Sequence, residues 1–145
     1  MTLRLPLGSV TVLLGPALAR RRVMAELDDS TGRYASGHDS DGVLRLVAGP
    51  YDSVADRLEA LAVAARSRVT IVLVDRFTDR LTARERGTVL RGLAPVAAGR
   101  AVLVHDCDPV AALAVAHGAL RVDRAGALTY EAVGGPGYLV SPFSD

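Results

Sequence analysis

Hydrophobic residues occur along the chain in short continuous runs that alternate with longer stretches of helical spacing. A continuous apolar run is typical of a strand that is buried on both faces, as in a parallel sheet covered by helices. The clearest such run is VTIVLVD, which ends on Asp75. Six runs predict strands at residues 10–14, 42–48, 69–75, 100–106, 119–122 and 127–133.

Four of the intervening stretches carry a helical pattern. Apolar residues recur every three or four positions between 50 and 66, and either Asp52 or Ser53 is placed to cap that helix. Thr82, followed three residues later by Glu85, forms a capping-box pattern. The sequence predicts a loop over 28–42 and helices over 16–27, 50–66, 82–94 (ending before Pro95) and 108–117 (closed by Gly118).

Strands and helices that alternate in this way predict an α/β fold. The expected architecture is a three-layer α/β/α sandwich around a mostly parallel sheet of five to six strands, with the last strand antiparallel at an edge. We expect a single domain over residues 1–133 and an irregular C-terminal tail over 134–145. Ligands of such folds bind at the carboxyl ends of the strands, so the residues that follow each strand are the candidates for a site.

The composition excludes several reaction mechanisms and kinds of partner. All 17 basic residues are arginines, which excludes mechanisms that require a lysine, such as a Schiff base. The formal net charge of +1 gives no overall field that favours nucleic acid or a membrane surface, and the one cysteine, Cys107, precludes an intramolecular disulfide. No apolar stretch approaches the roughly 20 residues of a membrane-spanning helix, and the first residues lack the order of a secretory signal. These features predict a cytoplasmic protein without membrane insertion.

Four stretches in order resemble the ATPase domain of an ATP-binding cassette (ABC) protein. They correspond to the Walker A region, the Q-loop region, Walker B with the D-loop, and the switch-histidine strand, at residues 8–23, 43–58, 69–86 and 99–122. The resemblance implies a P-loop NTPase-like fold that lacks the family's helical subdomain, because too few residues separate the first and third stretches to hold one. It also implies that the five parallel strands are ordered 5-1-4-3-2, which would bring Gly15, Asp75 and His105 to one edge.

Compared with that family, the phosphate-binding loop is degenerate. The pattern G-x-x-x-x-G-K-[ST] uses glycines to let backbone N–H groups wrap a phosphate, a lysine to hold it and a hydroxyl to hold magnesium. Gly15 matches the first glycine, whereas Arg20, Arg21 and Arg22 occupy the positions of the second glycine, the lysine and the hydroxyl residue. An arginine at the tight-turn position is expected to prevent the loop from wrapping a phosphate. Three consecutive residues of a helix cannot all point at one ligand, so we expect this run to be a solvated helix face rather than an anion site.

The catalytic positions that follow the strands are only partly kept. Asp75 matches the Walker B aspartate that would hold magnesium, and His105 matches the switch histidine. Arg76 stands where the catalytic glutamate would orient water. For Asp75 a second interpretation has equal weight, in which the carboxylate caps the following turn or pairs with Arg76 or Arg80. For His105 a hydrogen bond to a neighbouring loop is the favoured role.

The resemblance and its departures together predict a catalytically inactive pseudo-ATPase that serves as a binding or regulatory module. The implied partner is a protein, either a second copy of the chain or an ABC transporter or other ATPase, and nucleic acid is not favoured. The vestigial nucleotide-site positions are Gly15, Arg21, Arg22, Asp75 and His105, with Asp75 as the one metal ligand if magnesium is bound. ATP with magnesium is a disfavoured cofactor, and a residual nucleotide binder is kept as an alternative.

An enzyme of a different class is the second alternative. The segment Asp106-Cys107-Asp108, which follows an apolar strand, resembles the D-x-D pair of Toprim nucleic-acid enzymes. In that interpretation Asp75, Asp106 and Asp108 jointly bind Mg²⁺ for phosphoryl transfer. That family expects Glu followed by Gly where this chain has Asp75 followed by Arg76, so the pseudo-ATPase interpretation is preferred.

Overall fold

A single six-stranded sheet forms the centre of the molecule. The computed structural model describes residues 3–35 and 42–133, with side chains described for 3–27 and 42–133. The strands are β1 (Ser9–Leu14), β2 (Val43–Leu46), β3 (Ile71–Asp75), β4 (Ala101–His105), β5 (Gly118–Val122) and β6 (Leu128–Ala132). They are ordered β2-β3-β4-β1-β5-β6; the first five are parallel and β6 is antiparallel to β5. This confirms both the predicted order of the parallel strands and the antiparallel edge.

Helices cover both faces of the sheet. They are α1 (Ala17–Ala35), α2 (Val54–Arg66), α3 (Ala83–Arg91), α4 (Leu93–Ala97) and α5 (Pro109–Leu113). The helix α1 packs on one face, and residues of the other four helices pack on the opposite face. The predicted three-layer sandwich is therefore confirmed. Within the described residues, no helix has the length and apolar character needed to cross a bilayer.

Alternating valines and leucines explain why the strands appear as continuous apolar runs. In β3 and β4, Val72 and Val104 face the four-helix side, whereas Leu73 and Leu103 face α1. All four side chains are buried. Because helices cover both faces of the sheet, neither set of side chains meets water, and no polar period of two appears in the sequence.

Capping residues define where two of the helices begin. Ser53 caps α2, and its hydroxyl accepts a hydrogen bond from the Asp56 backbone N–H while the Asp56 carboxylate accepts one from the Ser53 N–H. Thr82 and Glu85 form the same reciprocal pair at the start of α3. The capping box predicted at Thr82 is confirmed, and Ser53 rather than Asp52 is the cap of α2.

The predicted loop over 28–42 is wrong in its first half, because α1 continues to Ala35. The apolar pattern of the sequence ends at Leu27, which is buried, and the side chains of α1 are described only up to this residue. Backbone hydrogen bonding carries the helix past that point, and a hydrophobic pattern reports burial rather than backbone bonding. Residues 36–41 and the predicted tail at 134–145 lie outside the described residues.

Two predicted helix ends also need correction. The helix that starts at Thr82 breaks at Gly92, and Pro95 is the third residue of α4. A proline fits there because the first turn of a helix has no internal acceptor for its N–H groups. The predicted helix over 108–117 ends at Leu113, and Gly118 is the first residue of β5 rather than a helix cap.

Candidate functional site

The carboxyl ends of β3 and β4 bring Asp75 and His105 together. The two residues are register partners, and the Asp75 Oδ1 atom lies 2.9 Å from the His105 Nδ1 atom. His105 is buried, with 4% of its surface exposed. A carboxylate at Nδ1 fixes the orientation of the imidazole ring and favours a proton on that nitrogen. His105 is therefore held by the neighbouring strand and not by a loop as predicted.

The other oxygen of Asp75 is paired with an arginine from β2. The Arg45 guanidinium forms an ion pair with Asp75 Oδ2, and it also donates to the Met24 backbone carbonyl at 2.6 Å. The prediction that Asp75 pairs with Arg76 or Arg80 is thus wrong, because β2 lies beside β3 and Arg45 reaches the carboxylate from there. Burial opposes ionisation of Asp75, but the hydrogen bond from His105 and the positive charges of His105 and Arg45 outweigh it and lower the pKa of Asp75.

The connection between β1 and α1 consists of two residues. Leu14 ends the strand and Ala17 begins the helix, so Gly15 and Pro16 are the whole connection. The φ angle of Gly15 is +132°, and a Cβ added there would lie 2.2 Å from the Val122 carbonyl oxygen. Only glycine fits this approach between β1 and β5.

The three consecutive arginines of α1 diverge, as expected. Arg20 turns back over the connection and donates from Nε to the Gly15 carbonyl at 2.9 Å and from Nη1 to the Asp106 carbonyl at 3.2 Å. Arg21 lines a pocket of about 290 Å³ together with Asp75 and His105. Arg22 lines a different cavity.

That second cavity, of about 620 Å³, lies between the start of α1 and the turn that joins β5 to β6. Its wall includes Leu18, Val23 and Val122 beside Arg22. Of the five predicted nucleotide-site residues, the structure thus gathers Arg21, Asp75 and His105 into one pocket and places Gly15 and Arg22 elsewhere.

The acidic segment after β4 is engaged in local structure. Asp106 is buried and accepts hydrogen bonds from the Thr78 hydroxyl at 2.7 Å and from the Asp108 backbone N–H at 3.0 Å. The Arg86 Nε atom lies 3.9 Å from the same carboxylate. Burial raises the pKa of Asp106 above its usual value, although these hydrogen bonds and the charge of Arg86 oppose the shift.

The three carboxylates of the Toprim interpretation do not converge. Asp108 accepts a hydrogen bond from the Ala111 N–H as the cap of α5, and Asp75 and Asp106 have the separate partners described above. Across residues 3–27 and 42–133, no group of three or more His, Cys, Asp or Glu side chains could hold a metal ion. The predicted joint magnesium site at Asp75, Asp106 and Asp108 is therefore absent from the described part of the chain.

Cys107 lies between these aspartates. Its Sγ atom is 3.8 Å from the Thr78 hydroxyl. Burial and the nearby charge of Asp106 raise the pKa of the Cys107 thiol. At neutral pH the thiol is thus held in its protonated, weakly nucleophilic form.

The turn after β3 is fixed by an arginine that the sequence analysis missed. Arg57 of α2 is fully buried and donates to the backbone carbonyls of Asp52, Phe77 and Asp79 at 2.8–3.1 Å. This residue occupies a position on the apolar face of α2, where it interrupts the hydrophobic spacing between Val54 and Leu61. A charged residue at a core-facing position was the available signal, because such a group is buried only when it is hydrogen-bonded.

Three solved structures with a similar fold belong to ATP-binding cassette (ABC) proteins. A dimeric post-hydrolysis state of the cassette MJ0796 bound to ADP and Pi has 13% identity and a TM-score of 0.61, covering 92% of this chain and 89% of that chain. A bacterial Atm1-family ABC exporter with ATP bound has 14% identity and a TM-score of 0.57, covering 88% of this chain and 34% of the exporter. A putative metal-chelate type ABC transporter in an inward-facing conformation has 15% identity and a TM-score of 0.52, covering 88% of this chain and 73% of the transporter chain.

No protein-family profile matches the sequence, and no curated protein matches it. At these identities the structural likeness establishes the fold alone. The chain has the P-loop NTPase-like α/β fold of ABC ATPase domains, and its function has to be argued from its own site residues.

Proposed function

We propose that the chain is a pseudo-ATPase: a module with the fold of an ABC ATPase domain that binds other molecules without hydrolysing ATP. The observation that carries the proposal is the two-residue connection between β1 and α1. A phosphate-binding loop needs several residues whose backbone N–H groups point at one centre. Gly15 and Pro16 cannot provide that set, since proline has no N–H. Arg20 to Arg22, which occupy the remaining motif positions, are helical.

The surroundings of Asp75 also argue against a magnesium–nucleotide site. Both carboxylate oxygens already have partners, because Oδ1 contacts His105 and Oδ2 contacts Arg45. A magnesium ion would have to displace the Arg45 guanidinium and would then lie beside a positive charge. The donor set therefore does not fit Mg-ATP.

The residue after Asp75 is the third support. In the family the following position carries the glutamate that orients the attacking water, and Arg76 cannot take that role because a guanidinium has only hydrogen-bond donors and no acceptor. An ATPase domain of this type that lacks a phosphate-binding loop, a free metal ligand and a general base cannot stabilise the transition state for phosphoryl transfer.

Release of phosphate from ATP tests the proposal. The purified chain and its Asp75→Ala variant are incubated with Mg-ATP beside an authentic ABC ATPase domain as a positive control. We expect both proteins to match the buffer blank. Magnesium-dependent release by the natural chain that is lost in Asp75→Ala would overturn the proposal, whereas equal release by both proteins would identify a contaminating ATPase.

We further propose that the module acts by binding a protein partner, and that this partner can be a second copy of the same chain. Three apolar side chains on segments that follow β2 and β4 are exposed: Val47 at 59%, Tyr51 at 94% and Val110 at 79%. The MJ0796 cassette with the same fold is dimeric. Sedimentation over a range of concentrations should show a rise in mass that a Tyr51→Ser, Val110→Ser double variant abolishes. A monomer at every concentration would exclude self-association.

A further inference from the structure

Three arginines from different elements line the pocket at the carboxyl ends of β3 and β4. Arg21 comes from the second turn of α1, Arg45 from β2, and Arg76 from the first position after β3. Among the residues whose side chains the structure describes, Asp75 is the one carboxylate in the wall of this pocket. The pocket therefore carries an excess of positive charge although the whole chain is nearly neutral.

Two of these arginines form no ion pair with the side chains that the structure describes, those of residues 3–27 and 42–133. Arg45 is paired with Asp75, so its charge is balanced locally. Arg21 and Arg76 make no side-chain hydrogen bond or ion pair with these residues, although the positive charge of Arg76 helps to lower the pKa of Asp75. Two guanidinium groups next to one concavity, neither held in an ion pair there, form an electrostatic match for an anion that carries two negative charges.

The backbone of Arg76 is held in a conformation that an arginine rarely adopts. Its φ angle is +50°, in the left-handed region that favours glycine. The Arg76 N–H donates to the His105 carbonyl at 2.6 Å, and the Asp79 N–H donates to the Arg76 carbonyl at 3.3 Å. Arg57 fixes the next residues through its bonds to Phe77 and Asp79. The side chain of Arg76 is thus presented at the pocket by a backbone that would be less strained with glycine.

His105 adds a further polar group to the wall. Its Nδ1 atom is engaged by Asp75, and within the described residues no hydrogen bond is formed by its Nε2 atom. The pocket volume of about 290 Å³ is at the small end of ligand sites. It suits a compact anion better than a nucleotide with its base and ribose.

We propose that this pocket binds a small, doubly charged oxyanion, such as phosphate or a short dicarboxylate, between Arg21 and Arg76 and without a metal ion. The planar guanidinium groups would each donate paired N–H bonds to the oxygens, as they do to phosphates and carboxylates elsewhere. The Asp75–Arg45 pair stays intact, so the charge of Arg45 remains balanced by the carboxylate. This proposal is independent of the one on ATP hydrolysis, because either can fail without the other.

Calorimetric titration at constant ionic strength tests the site, with phosphate, sulfate and malonate as separate ligands and Mg-ATP as a further arm. The variants are Arg21→Met, Arg76→Gly and Arg22→Met. Arg22 is the matched control, because it is the exposed neighbour of Arg21 on the same helix and lines the other cavity. We expect saturable binding of phosphate or malonate by the natural chain, a loss of affinity of about tenfold or more in Arg21→Met and Arg76→Gly, and no change in Arg22→Met.

Arg76→Gly separates a binding role from a structural one. Glycine relieves the positive φ, so this variant should unfold at the same or a higher temperature in the absence of anion while it loses affinity. Heat that does not saturate for any of the three ions, or equal weakening in Arg22→Met, would overturn the proposal. Binding of Mg-ATP that is tighter than binding of every small anion would also overturn it. Saturation is the required criterion, since phosphate and sulfate stabilise proteins generally by exclusion from their surfaces.

Discussion

Replacing the buried Arg57 by methionine should be among the most damaging single changes in this fold. Methionine keeps most of the length and the apolar stem of the side chain but removes every donor. The carbonyl groups of Asp52, Phe77 and Asp79 would then lose the guanidinium that they share, at donor distances of 2.8–3.1 Å. A buried acceptor left without a partner costs about 1–3 kcal/mol.

The summed cost of three such acceptors is the upper limit of the loss of stability, and two effects reduce that loss. Removing the guanidinium relieves the cost of burying a charge, and water can reach part of the vacated space. We therefore expect Arg57→Met to lower the free energy of unfolding by about 3–5 kcal/mol. For a chain of this size that corresponds to a fall in Tm on the order of 10 °C.

Urea denaturation of Arg57→Met, with Arg66→Met as the control, measures the effect. Arg66 belongs to the same helix but is exposed, and among the described side chains its ion pair is with Glu59, at 3.9 Å. That control should lose less than about 0.5 kcal/mol. Hydrogen exchange should also become faster at the turn around Phe77 in Arg57→Met, and not in the control. If the two variants lose similar stability, Arg57 does not hold the turn, and our account of how Arg76 is presented fails with it.

Two further predictions concern Gly15 and Asp75. Gly15→Ala should lower the free energy of unfolding by about 3 kcal/mol or more, because the added Cβ would lie 2.2 Å from the Val122 carbonyl oxygen. Gly99 also has a positive φ but nothing within 4 Å of an added Cβ, so Gly99→Ala should lower it by about 1 kcal/mol. Equal losses in urea denaturation would contradict the close approach at Gly15. Because its folded pKa is lowered, Asp75 contributes stability above its unfolded pKa that is lost as pH falls through the folded value. Denaturation curves between about pH 5 and pH 2 should therefore show a flatter loss of stability in Asp75→Asn than in the natural chain, and parallel profiles would count against this contribution.

The layered fold could be predicted because its signals are local and repeated. Continuous apolar runs require burial on both faces, and the structure provides it through the opposite orientation of residues such as Val72 and Leu73. The capping box at Thr82 is likewise complete within four residues of sequence. The end of α1 could not be predicted in this way, since the helix continues to Ala35, past Leu27, where the apolar pattern of the sequence ends.

The site was predicted less completely because its contacts join residues that are distant in sequence. The strand order places Asp75 beside His105, and the resemblance to ABC ATPase domains implied that these two lie at one edge. The pairing of Arg45 with Asp75 depends on the register of β2 against β3, which no local sequence pattern indicates. Arg57 and Arg100 were missed for the same reason. Each spans backbone carbonyls of separate segments, Arg100 reaching those of Ala65 and Val96.

The position of β1 in the sheet determines how late this protein can fold during synthesis. β1 is the first strand to emerge from the ribosome, yet its neighbours in the sheet are β4 and β5. Ser9 can pair only after Ala101 has been made, and Thr11 can pair with β5 only after Gly118 has been made. At about 5–20 residues per second, an apolar segment stays without its native partners for several seconds. β2 has its sheet neighbour in β3, but β3 lacks its second neighbour, β4, until that strand has been made. A chain with this topology should form its sheet in one late step, and a ribosome-bound nascent chain arrested before β4 should remain sensitive to protease.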